Sequence, residues 1–176
     1  GPIIILIDNS GSMSAGEGGI TREMWAKAMG LAMAEIALKD KRDIEFINFS
    51  SRSEISKHVI SHTLPPVERV NKLIAVAEEY YGGGTDFERP LDEAFNDVEA
   101  SQFKKADIIL VTDGDCEISE AYEKRLQKLK KEKGTRVHTV VIGSHSESME
   151  RASDTYSPLY DILTQGDAVA GQLFES

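Results

Sequence analysis

The sequence predicts an α/β fold: a doubly wound, mostly parallel sheet with one antiparallel edge strand and helices on both faces. Three observations carry this. Residues 3–7, 106–112 and 136–142 are continuous runs rich in branched aliphatic side chains, the pattern of strands covered on both faces. Stretches of helical periodicity separate these runs, too long for hairpins, so the strands run parallel through crossover connections. One short polar turn, Ser50-Ser51-Arg52-Ser53, joins two further strands and makes that pair antiparallel.

In order along the chain, the strand at 3–7 is followed by a helix over 21–39, with Met24, Trp25, Ala28, Met29, Ala32 and Ile36 at helical spacing. Trp25 and the methionines of this helix read as core packing. Residues 43–49 and 54–59 form the hairpin. Pro65 and Pro66 start the next helix, whose apolar stripe runs Val67, Val70, Leu73, Ile74, Ala77, Tyr81 before three glycines end it. A helix over 88–100 groups Phe87, Leu91, Ala94, Phe95 and Val98, and its Pro90 is tolerable because it lies in the first turn. The strand at 106–112 leads to a helix over 119–133, with Tyr122, Leu126 and Leu129 inward and Gly134 closing it. The strand at 136–142 follows, then a last edge strand at 157–162 and a short helix-like stretch before Ser176.

At 176 residues and 40% hydrophobic, the chain is expected to be a single domain with a full-sized core, and its start on a strand without methionine suggests a piece of a longer protein. Lys and Arg total 20 against 30 Asp and Glu, and the formal charge of -10 argues against a nucleic-acid partner. The apolar runs fall far short of the roughly 20 residues a membrane-spanning helix needs. Cys116, the only cysteine, rules out an intramolecular disulfide or a cysteine-built zinc site and points to a reducing, cytoplasmic location.

In such sheets, ligands gather beyond the carboxyl ends of the strands where strand order reverses. Three loops lie there. The first offers Asp8, Ser10 and Ser12 at alternate positions around Gly11; the second is Gly82-Gly83-Gly84-Thr85-Asp86; the third is Asp113-Gly114-Asp115. If the 3–7 and 106–112 strands are neighbours, about 4.8 Å apart, Asp8 and Asp113 end side by side and need a cation to stay ionised together. Hydroxyl and carboxylate oxygens without imidazole or thiolate favour Mg2+, with Mn2+ or Ca2+ as alternatives, over zinc.

Asp8-x-Ser10-x-Ser12, Thr85 in its glycine-rich loop and Asp113 in Thr-Asp-Gly together resemble the metal-ion-dependent adhesion site of von Willebrand factor A domains. The order of strands and helices resembles that Rossmann-like family along essentially the whole chain. The resemblance implies that Ser10 and Ser12 bind the metal directly, that Thr85 and Asp113 do so directly or through water, and that Asp8 acts mostly through a bridging water. It also implies a non-enzymatic protein-binding module, in which an Asp or Glu from a protein partner completes the metal shell. Gly1-Pro2 leading into the strand, Phe49-Ser50 and the Gly-Gly-Gly-Thr-Asp stretch are most similar to bacterial intracellular members related to ViaA, which work beside MoxR-type AAA+ ATPases.

Two rival readings remain open. A magnesium-dependent phosphatase or hydrolase would use Asp8 as nucleophile; against it, Ser10 stands where the haloacid-dehalogenase pattern has a second aspartate. The loops also read as ordinary turns on a metal-free scaffold, since Asp, Ser, Asn and Gly favour turns everywhere. Asp86 and Asp115 border the site and would orient its ligands. His58 and His62 read as exposed, His138 as a structural histidine in a strand, and His145 as a solvated loop residue. Cys116 reads as a small buried hydrophobe rather than a redox centre. The basic run Lys124, Arg125, Lys128, Lys130, Lys131, Lys133 reads as a solvated helix face.

Overall fold

The computed structural model describes every residue except Ala100, Asp115 and Ser176. Its strands are β1 (Ile3–Asp8), β2 (Gly16–Glu17), β3 (Ile20–Thr21), β4 (Ile44–Phe49), β5 (Ile55–Ile60), β6 (Asp107–Thr112), β7 (Val137–Ile142) and β8 (Thr155–Leu159). The helices are α1 (Arg22–Lys39), α2 (Pro66–Glu78), α3 (Glu88–Glu99), α4 (Glu120–Lys133), α5 (Glu147–Ala152) and α6 (Ile162–Glu175), with 3-10 turns at Gly11–Ser14 and Ser101–Phe103. The predicted end of the third of these helices at residue 100 falls outside the described residues. Six strands form one sheet in the order β5-β4-β1-β6-β7-β8, and only the β4–β5 pair is antiparallel.

Alternation explains why β1 is apolar at every position. Ile5 and Ile7 face a core built with Met29, Met33, Phe46 and Ile109, while Ile4 and Leu6 face the opposite core of Ile47, Leu91, Phe95, Leu110 and Leu126. On α1 the buried residues include Ala26, Met29, Gly30, Met33, Ala34 and Ala37, whereas Met24, Ala28, Ala32 and Ile36 of the expected stripe are exposed. The helix is apolar almost all round, so small side chains decide which face meets the sheet. A Cβ on Gly30 would lie 3.1 Å from Phe46, which shows how closely the backbone approaches. Trp25 is half-buried and packs against the first core, Met29 and Met33 lie within it, and Met24 does not.

The expected stripe of α2 is also corrected. Leu73 packs partly against the core and Val76 is buried, but Val67, Val70 and Ile74 are exposed, at 71%, 52% and 46%. The chain turns extended at Glu79, so Tyr81 is not on this helix. α2 packs beside α1 and the edge strand β5 rather than over the middle of the sheet, and only one of its rows finds cover.

The last strand runs Thr155–Leu159 rather than 157–162, and Ile162 instead opens α6, which packs beside α1. Pro158 is tolerated because β8 is an edge. The β2–β3 hairpin and α5 are too short to carry a periodic signal. In the basic run, Lys124, Arg125, Lys128 and Lys133 form exposed or partly exposed ion pairs, but Lys130 is buried, donating to Ala152 O at 2.8 Å and pairing with Asp154. No helix among the described residues is long and apolar enough to cross a membrane.

Candidate metal centre

From β1 the chain crosses to β4 and β5 on one side, then returns to β6, β7 and β8 on the other, so strand order reverses between β1 and β6. Their register, Ile7 opposite Val111, sets Asp8 level with Thr112 and Asp113 one residue beyond. The Thr112 hydroxyl donates to Asp8 Oδ2 at 2.6 Å, and the Ser10 N–H donates to Asp8 Oδ1 at 2.8 Å. Thr112 also accepts from the Gly114 N–H at 3.0 Å, so its one proton belongs to Asp8. Burial pushes the Asp8 carboxyl up to about 6, against the hydrogen bonds from Ser10 and Thr112 that lower it; the nearby charge of Asp113 adds to the rise.

The first loop folds over this carboxylate as the 3-10 turn. Met13 N–H donates to Ser10 O, Met13 is buried as a plug, and Ser10 Oγ and Ser12 Oγ come within 3.2 Å of each other. Gly11 lies where the glycine-rich loop crosses: its N–H donates to Gly83 O at 3.0 Å, and a Cβ there would sit 3.2 Å from Gly82 O. Gly82 N–H donates back to Asn9 O at 2.9 Å, and Ser50 Oγ to Gly84 O at 2.7 Å. Thr85 is thus carried in on a loop clamped to the β1 loop and to the end of β4. Thr85 is half-buried and its hydroxyl makes no hydrogen bond among the described residues; the loop, not a bond to Ser10 or Ser12, holds it in place.

Asp113 is 1% exposed, and Arg22 Nη1 donates to its Oδ2 at 3.0 Å. Ser144 Oγ donates to its backbone carbonyl. Sequence reasoning missed Arg22, Thr112 and Ser50 as parts of this site. One signal pointed to Arg22: a cation on the first residue of a helix opposes the helix dipole and needs an anion elsewhere. The first loop and the glycine-rich loop cover the strand ends, and both Asp8 and Asp113 are buried. Asp86 caps α3, accepting from Arg89 N–H at 2.9 Å, while Asp115 lies outside the described residues.

The donor set fits a hard cation. Among the described residues no three His, Cys, Asp or Glu side chains gather as a metal-holding group, so hydroxyls must supply the remaining ligands. The histidines are engaged elsewhere. His58 and His62 are half-buried rather than exposed, at Glu79 (3.0 Å) and Asp43 (2.8 Å). His138 is buried against Thr155, with its pKa lowered by burial, and exposed His145 packs edge-on against Tyr156. Cys116 is half-buried against the second core, its thiol pushed up by burial.

Comparison with known proteins places the chain. The uncharacterized protein MJ0811 of Methanocaldococcus jannaschii is 35% identical over 178 residues, covering 100% of this chain and 38% of the relative. The regulatory protein ViaA of Proteus mirabilis is 30% identical over 148 residues, covering 84% of this chain and 28% of that protein. The chain therefore spans less than half the length of these relatives. Among solved structures, proximal thread matrix protein 1 from the mussel byssus, with a zinc-occupied metal-ion-dependent adhesion site, superimposes with a TM-score of 0.69 at 15% identity, over 98% of this chain and 46% of that one. The sequence profile of the von Willebrand factor type A domain matches residues 3–115, which include Asp8, Ser10, Ser12, Thr85 and Asp113, and the chain belongs to that family.

Proposed function

We propose that these residues act as one divalent-cation-dependent protein-binding domain, in which Ser10, Ser12, Thr85, Asp113 and, through water, Asp8 hold a metal whose shell a partner's Asp or Glu completes. The observation that carries it is the meeting of Asp8, Ser10 and Ser12 with Asp113 at the reversal of strand order. Both Asp8 oxygens already accept hydrogen bonds, which suits an outer role. Hydroxyl ligands with few direct carboxylates leave a bound cation electron-poor, so an external carboxylate gains by binding it. Mg2+ is the first choice, with Mn2+ or Ca2+ accepted; zinc in the mussel protein shows that a site of this type in that protein takes a softer ion.

Catalysis is disfavoured by the same geometry. As a nucleophile, Asp8 would have to give up a bond from a buried hydroxyl or from a backbone amide, at a carboxylate 0% exposed. The name of the Proteus mirabilis relative, a regulatory protein, supports a binding role, and a MoxR-type AAA+ ATPase in the cytoplasm is the partner we propose. Calorimetric titration of the chain with such an ATPase tests this. Binding is expected in Mg2+ and lost in excess chelator; equal affinity in both overturns the metal-bridged reading.

A further inference from the structure

Among the described residues, Arg22 forms an ion pair with a carboxylate of this centre, and its surroundings are built for it. Its Nη1 meets Asp113 Oδ2 at 3.0 Å, with Asp113 1% exposed and Arg22 26% exposed. The guanidinium lies over Gly143, whose φ is +77°; a Cβ there would stand 2.6 Å from Nη2 and 3.0 Å from Cζ, so the absent side chain is the guanidinium's seat. The start of α1 is fixed independently, by Arg22 N–H donating to Ala15 O at 2.9 Å and by Thr21 Oγ1 capping Met24 N–H at 3.1 Å. Only the side chain is free to move.

We infer that Arg22 is an internal competitor for the cation: it neutralises Asp113 when no metal does, and loading requires it to swing away to Glu17. This rests on the metal-binding reading above. A guanidinium at hydrogen-bonding distance from Asp113 takes up lone pairs that a metal ligand needs, and its charge repels a dication in a region largely shut off from water. A place for the displaced group exists. A cavity of about 130 Å³ beside the site is lined by Ala15, Gly16, Glu17, Arg22, Gly143 and Tyr160 among others. Glu17 is its carboxylate, and that side chain has no ion pair or hydrogen bond among the described residues. The competition lowers apparent metal affinity by the fraction of molecules in which Arg22 has left Asp113, and Glu17 raises that fraction.

The test is Mn2+ binding to the purified chain, followed by electron paramagnetic resonance at low ionic strength, for the parent, R22A, R22Q and E17Q. Removal of the competitor in R22A and R22Q is expected to tighten Mn2+ binding about tenfold, and E17Q to weaken it a few-fold. R22Q removes the charge and keeps part of the aliphatic stem with a polar end, so it answers the question if R22A fails to fold. A second readout is melting in chelator, where both Arg22 variants should melt below the parent, and with Mg2+, which should raise them more than it raises the parent. Equal or weaker Mn2+ binding in folded R22A or R22Q overturns the inference while leaving the metal reading intact. If neither parent nor variants bind Mn2+, the metal reading falls and this inference with it.

Discussion

Asp8 and Thr112 form the tightest unit of the site, a buried carboxylate fed by one hydroxyl and one amide. Replacing Asp8 by Asn preserves the shape of that unit while removing its charge. Mn2+ affinity is then expected to fall at least about tenfold, with the far-ultraviolet circular dichroism unchanged; an affinity like the parent's would remove Asp8 from the ligand set. Asp8→Ala is a poorer probe, because it leaves the Thr112 hydroxyl and the Ser10 amide without an acceptor in a buried place. Thr112→Val keeps the volume and strips the hydroxyl. Urea unfolding should show a loss of about 1–3 kcal/mol, the cost of an unsatisfied buried polar group, and a null result would mean that Asp8 finds another donor.

At the scale of elements, the face of the sheet toward α3 holds a further buried acid. Glu45, on β4, is 2% exposed; burial first, then the charge of Asp97, pushes its carboxyl up to about 8, with Lys57 opposing. Lys57, on β5, bridges Asp97 and Glu93 of α3 at 2.5 and 2.8 Å, and Arg89 also pairs with Glu93. A carboxyl whose folded pKa lies above its unfolded value favours the folded state at low pH. That contribution is fully present below about pH 4.5 and is lost as pH rises toward 8. Urea midpoints of the parent should therefore include a decline across this window that Glu45→Gln lacks, and the variant should gain on the parent between pH 5 and pH 8. A parallel decline in both proteins would show that Glu45 is not its source.

The whole molecule is a sheet that brings Asp8 and Asp113 to its reversal point under loops supplied by distant parts of the chain. If Asp8, Ser10, Ser12, Thr85 and Asp113 hold a cation as proposed, only the folded state brings them together, so the metal would stabilise it. At a free Mg2+ concentration about 100 times the dissociation constant, the expected gain is about 2.7 kcal/mol, or several degrees in melting temperature for a chain of this length. The shift should vanish with chelator and shrink in Asp8→Asn. A melting temperature indifferent to Mg2+, Mn2+ and Ca2+ would leave the fold without its proposed cation.

Much of this was legible because it is local. Ile3 to Ile7 are apolar at successive positions, which only a strand with two covered faces accommodates, and Asp8, Ser10 and Ser12 follow in the same stretch of chain. The turn at Ser50 to Ser53 is short enough to fix an antiparallel pair. What was misread depends on packing between distant parts: the face α1 turns to the sheet, the exposure of Val67, Val70 and Ile74 on α2, and the place where β8 gives way to α6. The sequence by itself determined the doubly wound fold and the residue types brought to its reversal point, because strand burial and loop chemistry are written in neighbouring residues. Only the tertiary structure decided that Asp8 takes its proton donor from Thr112, 104 residues away, and that Asp113 takes its counter-ion from Arg22, 91 residues away. Those pairings follow from strand register and from the space left over Gly143, which no pattern along the chain records.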